Sequence, residues 1–256
     1  MSSSNSKVKY VRRLQNERRF RSRERAFVVE GSRWLSEIDR ESLSPRQLFF
    51  TEYWAGLQGH SDILQQFDAP RQAVSDAVMK EMSSMKTPPG ILAVLPMQER
   101  PFPTPLTFLL ILDGIQTPGN MGTMLRTAAA AGVDGVALAP GCVDPYNPKV
   151  VRGSMGALLR LPVHQLSWAA LMELTDELAV WTATVDGERP YTAVDWTQPA
   201  ALIIGSEAHG AGHAARRLAD GSITIPMHTA TESLNAAMAA GIILFEAKRR
   251  RNLHQD

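Results

Sequence analysis

In the first part of the chain, short apolar runs alternate with segments whose apolar residues recur at helical spacing. A short run bounded by turn residues is typical of a buried strand, whereas a period near 3.6 indicates a helix. A basic segment predicted to be helical, residues 7–25, comes first. The predicted strands that follow are 26–31, 47–52 and 90–97, and the predicted helices between them are 32–41 and 76–84. This alternation predicts a small α/β domain over residues 1–97.

A proline-rich stretch interrupts the pattern at residues 98–105. Pro101, Pro103 and Pro105 stand close together there, and such spacing favours an extended segment without regular structure. We therefore predict a linker, followed by a second domain over residues 106–256.

The second domain repeats a strand and a helix several times. The predicted strands are 108–115, 135–140, 161–166, 179–186, 200–207 and 222–227, and the predicted helices are 120–131, 149–159, 168–178 and 233–251. This alternation predicts a mostly parallel sheet with helices on both faces. Ligands of such sheets lie at the carboxyl ends of the strands. The candidate ligand-binding loops are therefore 113–120, 186–189, 205–212 and 227–233.

Composition narrows the class of protein. The 256 residues are 44% apolar and the formal charge is +1, which predicts a soluble globular protein. The single cysteine, Cys142, excludes internal disulfides, a four-cysteine zinc site and a three-cysteine cluster for radical chemistry. The sequence shows neither a signal peptide nor the run of about 20 apolar residues that a membrane span requires. We expect a cytoplasmic protein with no membrane partner.

The near-neutral total charge hides a strongly basic segment. Residues 7–25 carry nine basic and two acidic side chains, a local formal charge of +7. The basic residues, all candidates for RNA binding, are Lys7, Lys9, Arg12, Arg13, Arg18, Arg19, Arg21, Arg23 and Arg25. Such a block is typical of a phosphate-binding surface, with Tyr10 and Phe20 available to stack on bases. The same pattern fits a solvated helix face held by Arg–Glu pairs, and this segment alone does not decide between the two interpretations.

A glycine-rich turn after the first strand of the second domain looks at first like a nucleotide-binding loop. Residues 112–126 read LDGIQTPGNMGTMLR, which predicts a strand end, a Pro-Gly turn and the start of a helix. The glycines depart from the G-x-G-x-x-G spacing of a dinucleotide site, and no G-K-[ST] follows. The usual nucleotide ligands are therefore disfavoured.

Two further loops expose a backbone that a ligand can approach closely. Residues 202–212, LIIGSEAHGAG, place several glycines around Glu207. Residues 225–242, IPMHTATESLNAAMAAGI, place small hydroxylated residues before a helix rich in alanine. Together with the Pro-Gly turn, they predict three ligand-facing loops at one edge of the sheet.

Two short spacings suggest other chemistry, and the surrounding residues argue against both. His209 and His213 have the i, i+4 spacing of zinc ligands, but Gly210 and Gly212 would break the helix that such a pair needs, so no metal site is predicted. Ser154 in RGSMG departs from the G-x-S-x-G spacing of a nucleophile elbow, which disfavours a hydrolase.

Four ordered blocks of the second domain resemble the SpoU/TrmH class of the SPOUT superfamily, which are S-adenosylmethionine-dependent RNA ribose 2′-O-methyltransferases. The blocks are PGNMGTMLRTAAAAGVDGV, GCVDPYNPKVVRGSMGALLRLPV, LIIGSEAHGAG and IPMHTATESLNAAMAAGI, within residues 106–251. The preceding domain resembles the small α/β RNA-binding domain, similar to ribosomal protein L30e, of members that modify ribosomal RNA. One departure is that Ser206-Glu207-Ala208 stands where many members have Asn-Glu-Gly.

The resemblance implies an α/β fold whose C-terminal part forms a deep trefoil knot, an exception to the rule against knotted chains. The methyl donor would lie in this knot. The donor-binding residues that the resemblance implies are Thr184, Gly205, Ile225, Met227 and Leu234. The catalytic residues that it implies are Asn120, Arg126, Glu207, Ser233 and Asn235, which need no metal. It also implies a homodimer in which Arg126 reaches the donor site of the partner.

The chemistry of a guanidinium limits the role of Arg126. A guanidinium holds its proton more tightly than an effective general base does. We therefore expect Arg126 to clamp an RNA phosphate and to stabilise charge on the attacking oxygen. Glu207, Ser233 and Asn235 are expected to orient the hydroxyl group and the loop.

The sequence thus predicts methylation of a ribose 2′-hydroxyl in RNA, with S-adenosylmethionine as methyl donor. The N-terminal domain favours large-subunit ribosomal RNA as the substrate. Two alternatives remain open, a tRNA 2′-O-methyltransferase and an RNA-binding ribosome assembly factor that has lost catalysis. The presence of Asn120, Arg126, Glu207, Ser233 and Asn235 together argues against the second alternative.

Overall fold

The structure, a computed structural model, describes residues 5–38, 43–228 and 233–253. The chain divides into two compact units. The first comprises Met1–Gln98 and Tyr146–Leu159, and the second comprises Glu99–Pro145 and Arg160–Asp256. No helix within the described ranges combines the length and the apolar character that crossing a bilayer demands.

The first unit is built on a four-stranded sheet. Its strands are β1 (Ala26–Glu30), β2 (Gln47–Phe50), β3 (Arg71–Ala73) and β4 (Ile91–Pro96), in the order β1-β4-β2-β3. Strand β4 runs antiparallel to both of its neighbours, and β2 runs parallel to β3. The predicted strands are confirmed, and the short edge strand β3 was not predicted because its residues are too exposed to form an apolar run.

Helices of the first unit are short. Those before residue 98 are α1 (Ser6–Asn16), α2 (Arg18–Glu24), α3 (Ser32–Ser36), α4 (Glu52–Ala55), α5 (His60–Gln65) and α6 (Asp76–Met82). The prediction of one basic helix is wrong, since Glu17 adopts an extended conformation (φ −113°, ψ 107°) and separates α1 from α2. Of the predicted helix 32–41, only α3 is helical, and residues 39–42 lie outside the described part of the chain.

The basic helices supply core residues as well as charge. Val8, Val11 and Leu14 recur at helical spacing on α1, are fully buried, and join Val28 and Val94 of the sheet in one apolar cluster. Burial of such side chains stabilises a fold by about 1.5–3 kcal/mol each. The charged segment is therefore an integral layer of this unit.

The second unit contains a seven-stranded sheet in which every pairing is parallel, as predicted. Its strands are β5 (Phe108–Leu112), β6 (Gly135–Leu138), β7 (Val163–Gln165), β8 (Ala179–Ala183), β9 (Arg189–Pro190), β10 (Ala200–Ile204) and β11 (Gly221–Thr224). The order is β7-β6-β5-β10-β8-β11-β9. Ile204 pairs with Leu112 on one side and with Ala183 on the other, so the loops after β5, β8 and β10 leave the same edge.

The remaining helices are α7 (Pro118–Ala131), α8 (Pro148–Ser154), α9 (Ala157–Arg160), α10 (Trp168–Leu174), α11 (His213–Leu218) and α12 (Ala236–Asn252). The predicted helix 149–159 is interrupted, because Met155 and Gly156 adopt left-handed conformations between α8 and α9 (φ 49° and 85°). The last helix begins at Ala236 instead of residue 233, since the Asn235 side chain caps it. Helix α11 was not predicted.

The predicted linker, residues 98–105, packs against the second unit over part of its length. The Phe102 ring lies 4.7 Å from the His164 ring between centroids, and His164 Nε2 lies 2.6 Å from the Arg100 carbonyl oxygen. An added Cβ at Gly135 would lie 2.4 Å from the Phe102 ring, so glycine makes room for it. The proline-rich spacing indicates an extended chain, but it does not reveal these contacts.

Candidate active site

A cavity of about 400 Å³ opens at the carboxyl edge of the parallel sheet in the second unit. Segments that follow β8, β10 and β11 form its wall, together with the first turn of α12. All the residues predicted to bind a methyl donor line it, namely Thr184, Gly205, Ile225, Met227 and Leu234. The register of the sheet explains this convergence, because neighbouring parallel strands end at one edge.

The loop after β10 is fixed by contacts between its own ends. Ser206 and Gly210 exchange backbone hydrogen bonds of 3.0 and 2.9 Å, and Gly212 N donates to Asp113 Oδ2 over 2.7 Å. An added Cβ at Gly205 would lie 2.1 Å from Ala211 N, so only glycine allows this fold-back. The loop thus presents bare backbone to the cavity.

Three of the predicted catalytic residues form a hydrogen-bonded chain. Asn120 Nδ2 donates to Glu207 Oε1 over 2.6 Å, and Asn235 Nδ2 donates to Asn120 Oδ1 over 3.2 Å. The three residues come from α7, the loop after β10 and the start of α12. Since both ends of the Asn120 amide are engaged, its orientation is set by its neighbours.

Asn235 also caps helix α12. Its Oδ1 accepts hydrogen bonds from the backbone of Ala237 (3.0 Å) and Met238 (3.2 Å), which caps α12. Ser233 lines the cavity just before this cap. Both ends of the predicted ligand loop 227–233 therefore lie at the cavity. Residues 229–232, between these ends, lie outside the described residues.

Arg126 lies apart from this cluster. It is exposed on α7 and does not line the cavity of its own chain. Among the residues that the structure describes, its guanidinium has neither a hydrogen bond nor an ion pair. The structure therefore does not bring Arg126 together with Glu207 within one chain.

Sequence reasoning missed two charged residues of the cavity wall. Asp186 follows β8 within a predicted ligand loop but was not assigned a role, and Arg216 lies on α11. Arg216 Nε donates to the Ala211 carbonyl oxygen over 3.1 Å, so the side chain folds back onto the loop after β10. The signal for Arg216 was weak, because a short helix with two adjacent arginines resembles an ordinary exposed helix end.

The basic residues of α1 and α2 differ widely in their contacts. Arg21 is 3% exposed and donates to the Leu14 and Gln15 carbonyl oxygens over 2.7 and 3.2 Å. Its guanidinium therefore holds the two helices together. Lys9 and Arg19, in contrast, are exposed and have no side-chain partner among the described residues.

Arginines also cover the aromatic ring that was expected to stack on bases. Phe20 is 5% exposed, and the guanidinium carbons of Arg13 and Arg23 lie 3.9 and 4.9 Å from its ring centroid. Tyr10 packs against the ring edge. The suggestion that Phe20 stacks on bases is wrong, because the ring is buried and two guanidinium groups already lie over it.

The other basic residues of the segment have partners of varying strength. Arg13 forms a bidentate pair with Glu17, whose pKa it lowers chiefly through these hydrogen bonds. Arg12 lies 4.0 Å from Glu81, and Lys7 Nζ donates to Gln47 over 3.4 Å. Arg23 pairs with Glu24, while Arg18 and Arg25 also have partners. A shallow groove lined by Lys9, Arg12, Arg13, Asn16 and Glu17 runs along α1.

Ser154, which raised the question of a nucleophile, has a structural role. Ser154 is fully buried and its hydroxyl donates to the Val151 carbonyl oxygen. Burial raises the pKa of Cys142 to about 11, which keeps this thiol protonated near neutral pH. Within residues 5–38, 43–228 and 233–253, no three His, Cys, Asp or Glu side chains converge as metal ligands would.

Comparisons with known proteins identify the family of this chain. Residues 107–245 match the SpoU rRNA methylase family, and residues 5–93 match the MRM3-like substrate binding domain. The 23S rRNA (uridine(2479)-2′-O)-methyltransferase of Streptomyces viridochromogenes is 30% identical over 98% of this chain and 92% of its own length. The 23S rRNA (guanosine(2553)-2′-O)-methyltransferase RlmP of Bacillus subtilis is 29% identical over 96% of this chain and 98% of its own length.

A solved structure shows the same fold over nearly the whole chain. The crystal structure of the SpoU methyltransferase AviRb from Streptomyces viridochromogenes, in complex with the cofactor AdoMet, matches with a TM-score of 0.90 and 28% identity. The match covers 97% of this chain and 98% of that one. The chain therefore belongs to the SpoU rRNA methylase family, which confirms the family, the α/β fold class and the RNA methyltransferase class predicted from the sequence.

Proposed function

We propose that this protein transfers a methyl group from S-adenosylmethionine to a ribose 2′-hydroxyl of large-subunit ribosomal RNA. The observation that carries the proposal is the cavity in the second unit. Every residue predicted to bind the donor lines it, and Glu207 of its wall holds Asn120 in place. The relatives that modify 23S rRNA support ribosomal RNA as the substrate.

The cavity suits this donor in volume and in chemistry. Small-molecule sites typically measure ~300–1,000 Å³ and combine apolar walls with a few polar groups. Ile225, Met227 and Leu234 offer apolar surface for an adenine ring, while Asp186 and Arg216 offer opposite charges for an amino acid moiety. These residues fit a charged nucleoside with an amino acid tail.

The protein's main contribution to the reaction is alignment. When bound, S-adenosylmethionine supplies a methyl group that its sulfonium sulfur makes electrophilic. The residues must hold a ribose oxygen in line with that methyl group, and alignment can lower the barrier by ~7–11 kcal/mol. Asn120, held by Glu207 and Asn235, offers its remaining amide hydrogen to the ribose. Glu207 Oε2 has no partner among the described residues and accepts a hydrogen bond from the 2′-hydroxyl.

Arg126 completes this site from a second copy of the chain. Its guanidinium is exposed on α7, which packs against α12. On α12, Met238 and Phe245 are 59% and 48% exposed and lie two helical turns apart on one face. A homodimer formed through this face would cover the apolar side chains. In the dimer, Arg126 clamps an RNA phosphate beside the partner's cavity and stabilises charge on the attacking oxygen.

The first unit binds the RNA through cations that the fold leaves available. Lys9 and Arg19 have no side-chain partner among the described residues, and Arg12 has a long, exposed contact to Glu81. Arg21 is excluded from this surface by its burial. Phosphate contacts of this kind position the RNA without reading its sequence. The fold of the RNA itself then determines which nucleotide is methylated.

Three further expectations stay predictions. The trefoil knot is supported by the position of β11, which pairs with both β8 and β9. It is also supported by Gly187, where an added Cβ would lie 2.3 Å from the Ile223 backbone. Catalysis without a metal and a cytoplasmic location rest on the family resemblance and on the sequence.

The test is methyl transfer to RNA in solution. We expect protein incubated with radiolabelled S-adenosylmethionine and ribosomal RNA from cells lacking the gene to label one ribose of the large-subunit RNA. Resistance of one phosphodiester bond to alkaline hydrolysis locates that ribose. The Glu207→Gln variant serves as a negative control. RNA binding without transfer would favour an assembly factor, and label in transfer RNA alone would overturn the choice of substrate.

A further inference from the structure

Arg216 is the one permanently cationic side chain among the described residues that line the cavity. The other ionisable groups of this wall are Asp186, Glu207 and His209. Glu207 is engaged by Asn120. Among the described lining residues, Arg216 on α11 is therefore the strongest site for an anionic group.

The Arg216 guanidinium is oriented before any ligand arrives. Its Nε donates to the Ala211 carbonyl oxygen over 3.1 Å, and Ala211 is only 3% exposed. Ala211 belongs to the loop after β10, which is closed by its own backbone bonds and by Asp113. The two outer amino groups of Arg216 have no partner among the described residues. Two adjacent N–H groups in one plane are the geometry that binds a carboxylate bidentately.

We propose that Arg216 binds the α-carboxylate of the methyl donor through its two outer amino groups. This inference rests on the proposed function, because it requires S-adenosylmethionine in the cavity. The donor carries one anionic group, its carboxylate, and two cationic groups, its ammonium and sulfonium. Asp186, exposed on the segment after β8, lies on the same cavity wall and attracts the cationic part. The pair thus fixes the direction in which the amino acid tail lies.

An RNA phosphate is the other anion that could reach an exposed arginine. The position of Arg216 favours the donor, since its Nε bond turns the side chain toward the loop that lines the cavity. Arg217, the next residue, is exposed and does not line the cavity. Arg217 therefore provides a matched control, with the same charge on the same helix but outside the cavity.

The test compares two ligands that differ by a single group. Isothermal titration of the full chain would measure the affinity for S-adenosylmethionine and for decarboxylated S-adenosylmethionine. Hydrogen bonds between charged groups are stronger than neutral ones, but solvent exposure of Arg216 weakens its contact with the carboxylate. We expect Arg216→Met to weaken S-adenosylmethionine binding by about tenfold. Binding of the decarboxylated ligand should change little, and Arg217→Met should bind both ligands as the wild type does.

Each alternative outcome is distinct. If Arg216→Met binds S-adenosylmethionine as tightly as the wild type does, or loses both ligands equally, Arg216 does not recognise the carboxylate. A loss of RNA affinity with unchanged donor affinity would assign Arg216 to the RNA instead. If the wild type binds neither ligand, the proposed function fails and this inference fails with it. Arg216→Lys, which keeps the charge but loses the planar fork, should lie between the wild type and Arg216→Met.

Discussion

The basic segment α1–α2 and the helix α7 use arginine in opposite ways. The first carries nine cationic side chains, and most of them are engaged within their own unit. Helix α7 carries Arg126 alone, and this guanidinium has no partner among the described residues. The number of arginines in a segment therefore says little about how many can bind RNA. An arginine is available to RNA when its guanidinium has no hydrogen-bond or ion-pair partner within the protein.

The basic residues 248–251 at the end of α12 are also engaged within the fold. Hydrogen bonds from Arg249 and Arg250 lower the pKa of Glu246 to about 2, the first of these having the larger effect. Lys248 Nζ donates to the Ala130 carbonyl oxygen, which ties α12 to α7. Arg251 donates to two carbonyl oxygens, those of Thr107 and Gln198. These basic residues therefore stabilise the second unit.

Replacing Arg126 should have the largest effect. Loss of a group that stabilises developing charge costs about 10²–10³ in kcat, so we expect Arg126→Ala to lose methyl transfer by at least that factor. Donor affinity, measured by titration calorimetry, should stay unchanged because Arg126 does not line the cavity of its own chain. A collapse of donor affinity would contradict this placement.

A mixed dimer separates action within one chain from action across the dimer. One subunit would carry Arg126→Ala and the other Glu207→Gln, each with its own affinity tag. If Arg126 serves the partner's cavity, one of the two symmetric sites is intact and about half of the activity returns. No recovery would mean that Arg126 acts in its own chain.

Replacing Arg21 should affect stability more than activity. The change Arg21→Met leaves the Leu14 and Gln15 carbonyl oxygens without this donor, and unsatisfied buried groups cost about 1–3 kcal/mol each. We expect the free energy of unfolding of the first unit to fall by about 2 kcal/mol, measured by hydrogen exchange at the α1 and α2 amides. Arg19→Met, at an exposed neighbour, should change it by less than about 0.5 kcal/mol.

The smallest effect concerns the salt dependence of RNA binding. Each lost phosphate contact removes ~0.7–0.9 from the slope of log affinity against log salt. Lys9→Gln with Arg19→Gln should therefore flatten the slope by about 1.4–1.8. Arg13→Gln with Arg23→Gln removes the same formal charge from residues already paired with glutamates, and should leave the slope nearly unchanged. Equal slopes for the two variants would mean that pairing with a glutamate does not determine whether an arginine can bind an RNA phosphate.

The long periodic elements could be predicted from the sequence, and the short exposed ones could not. Strand β10, Ala200–Ile204, is fully buried and reads as an unbroken apolar run. Strand β9 has two exposed residues and offers no pattern. The sequence did not predict the helix breaks at Glu17 and Met155. Each break depends on the backbone conformation of one residue, and neither residue type is typical of a helix end.

The candidate active site was also predictable only in part. The family motifs brought Glu207, Asn120 and Asn235 to attention, and the structure joins them by hydrogen bonds. Arg216 escaped notice because its role depends on the direction of a side chain. That direction is set by a backbone carbonyl oxygen, which no sequence pattern encodes.

Tyr146–Leu159 belongs to the first unit, although the sequence on either side of it belongs to the second. The Tyr146 ring lies 4.9 Å from Phe27 of β1, and α8 packs on the same strand. A fragment that stops at Gln98 would lack this cover and expose Phe27, which is now 2% accessible. Grafting a new RNA-recognition domain onto this enzyme therefore means exchanging two stretches of the gene together.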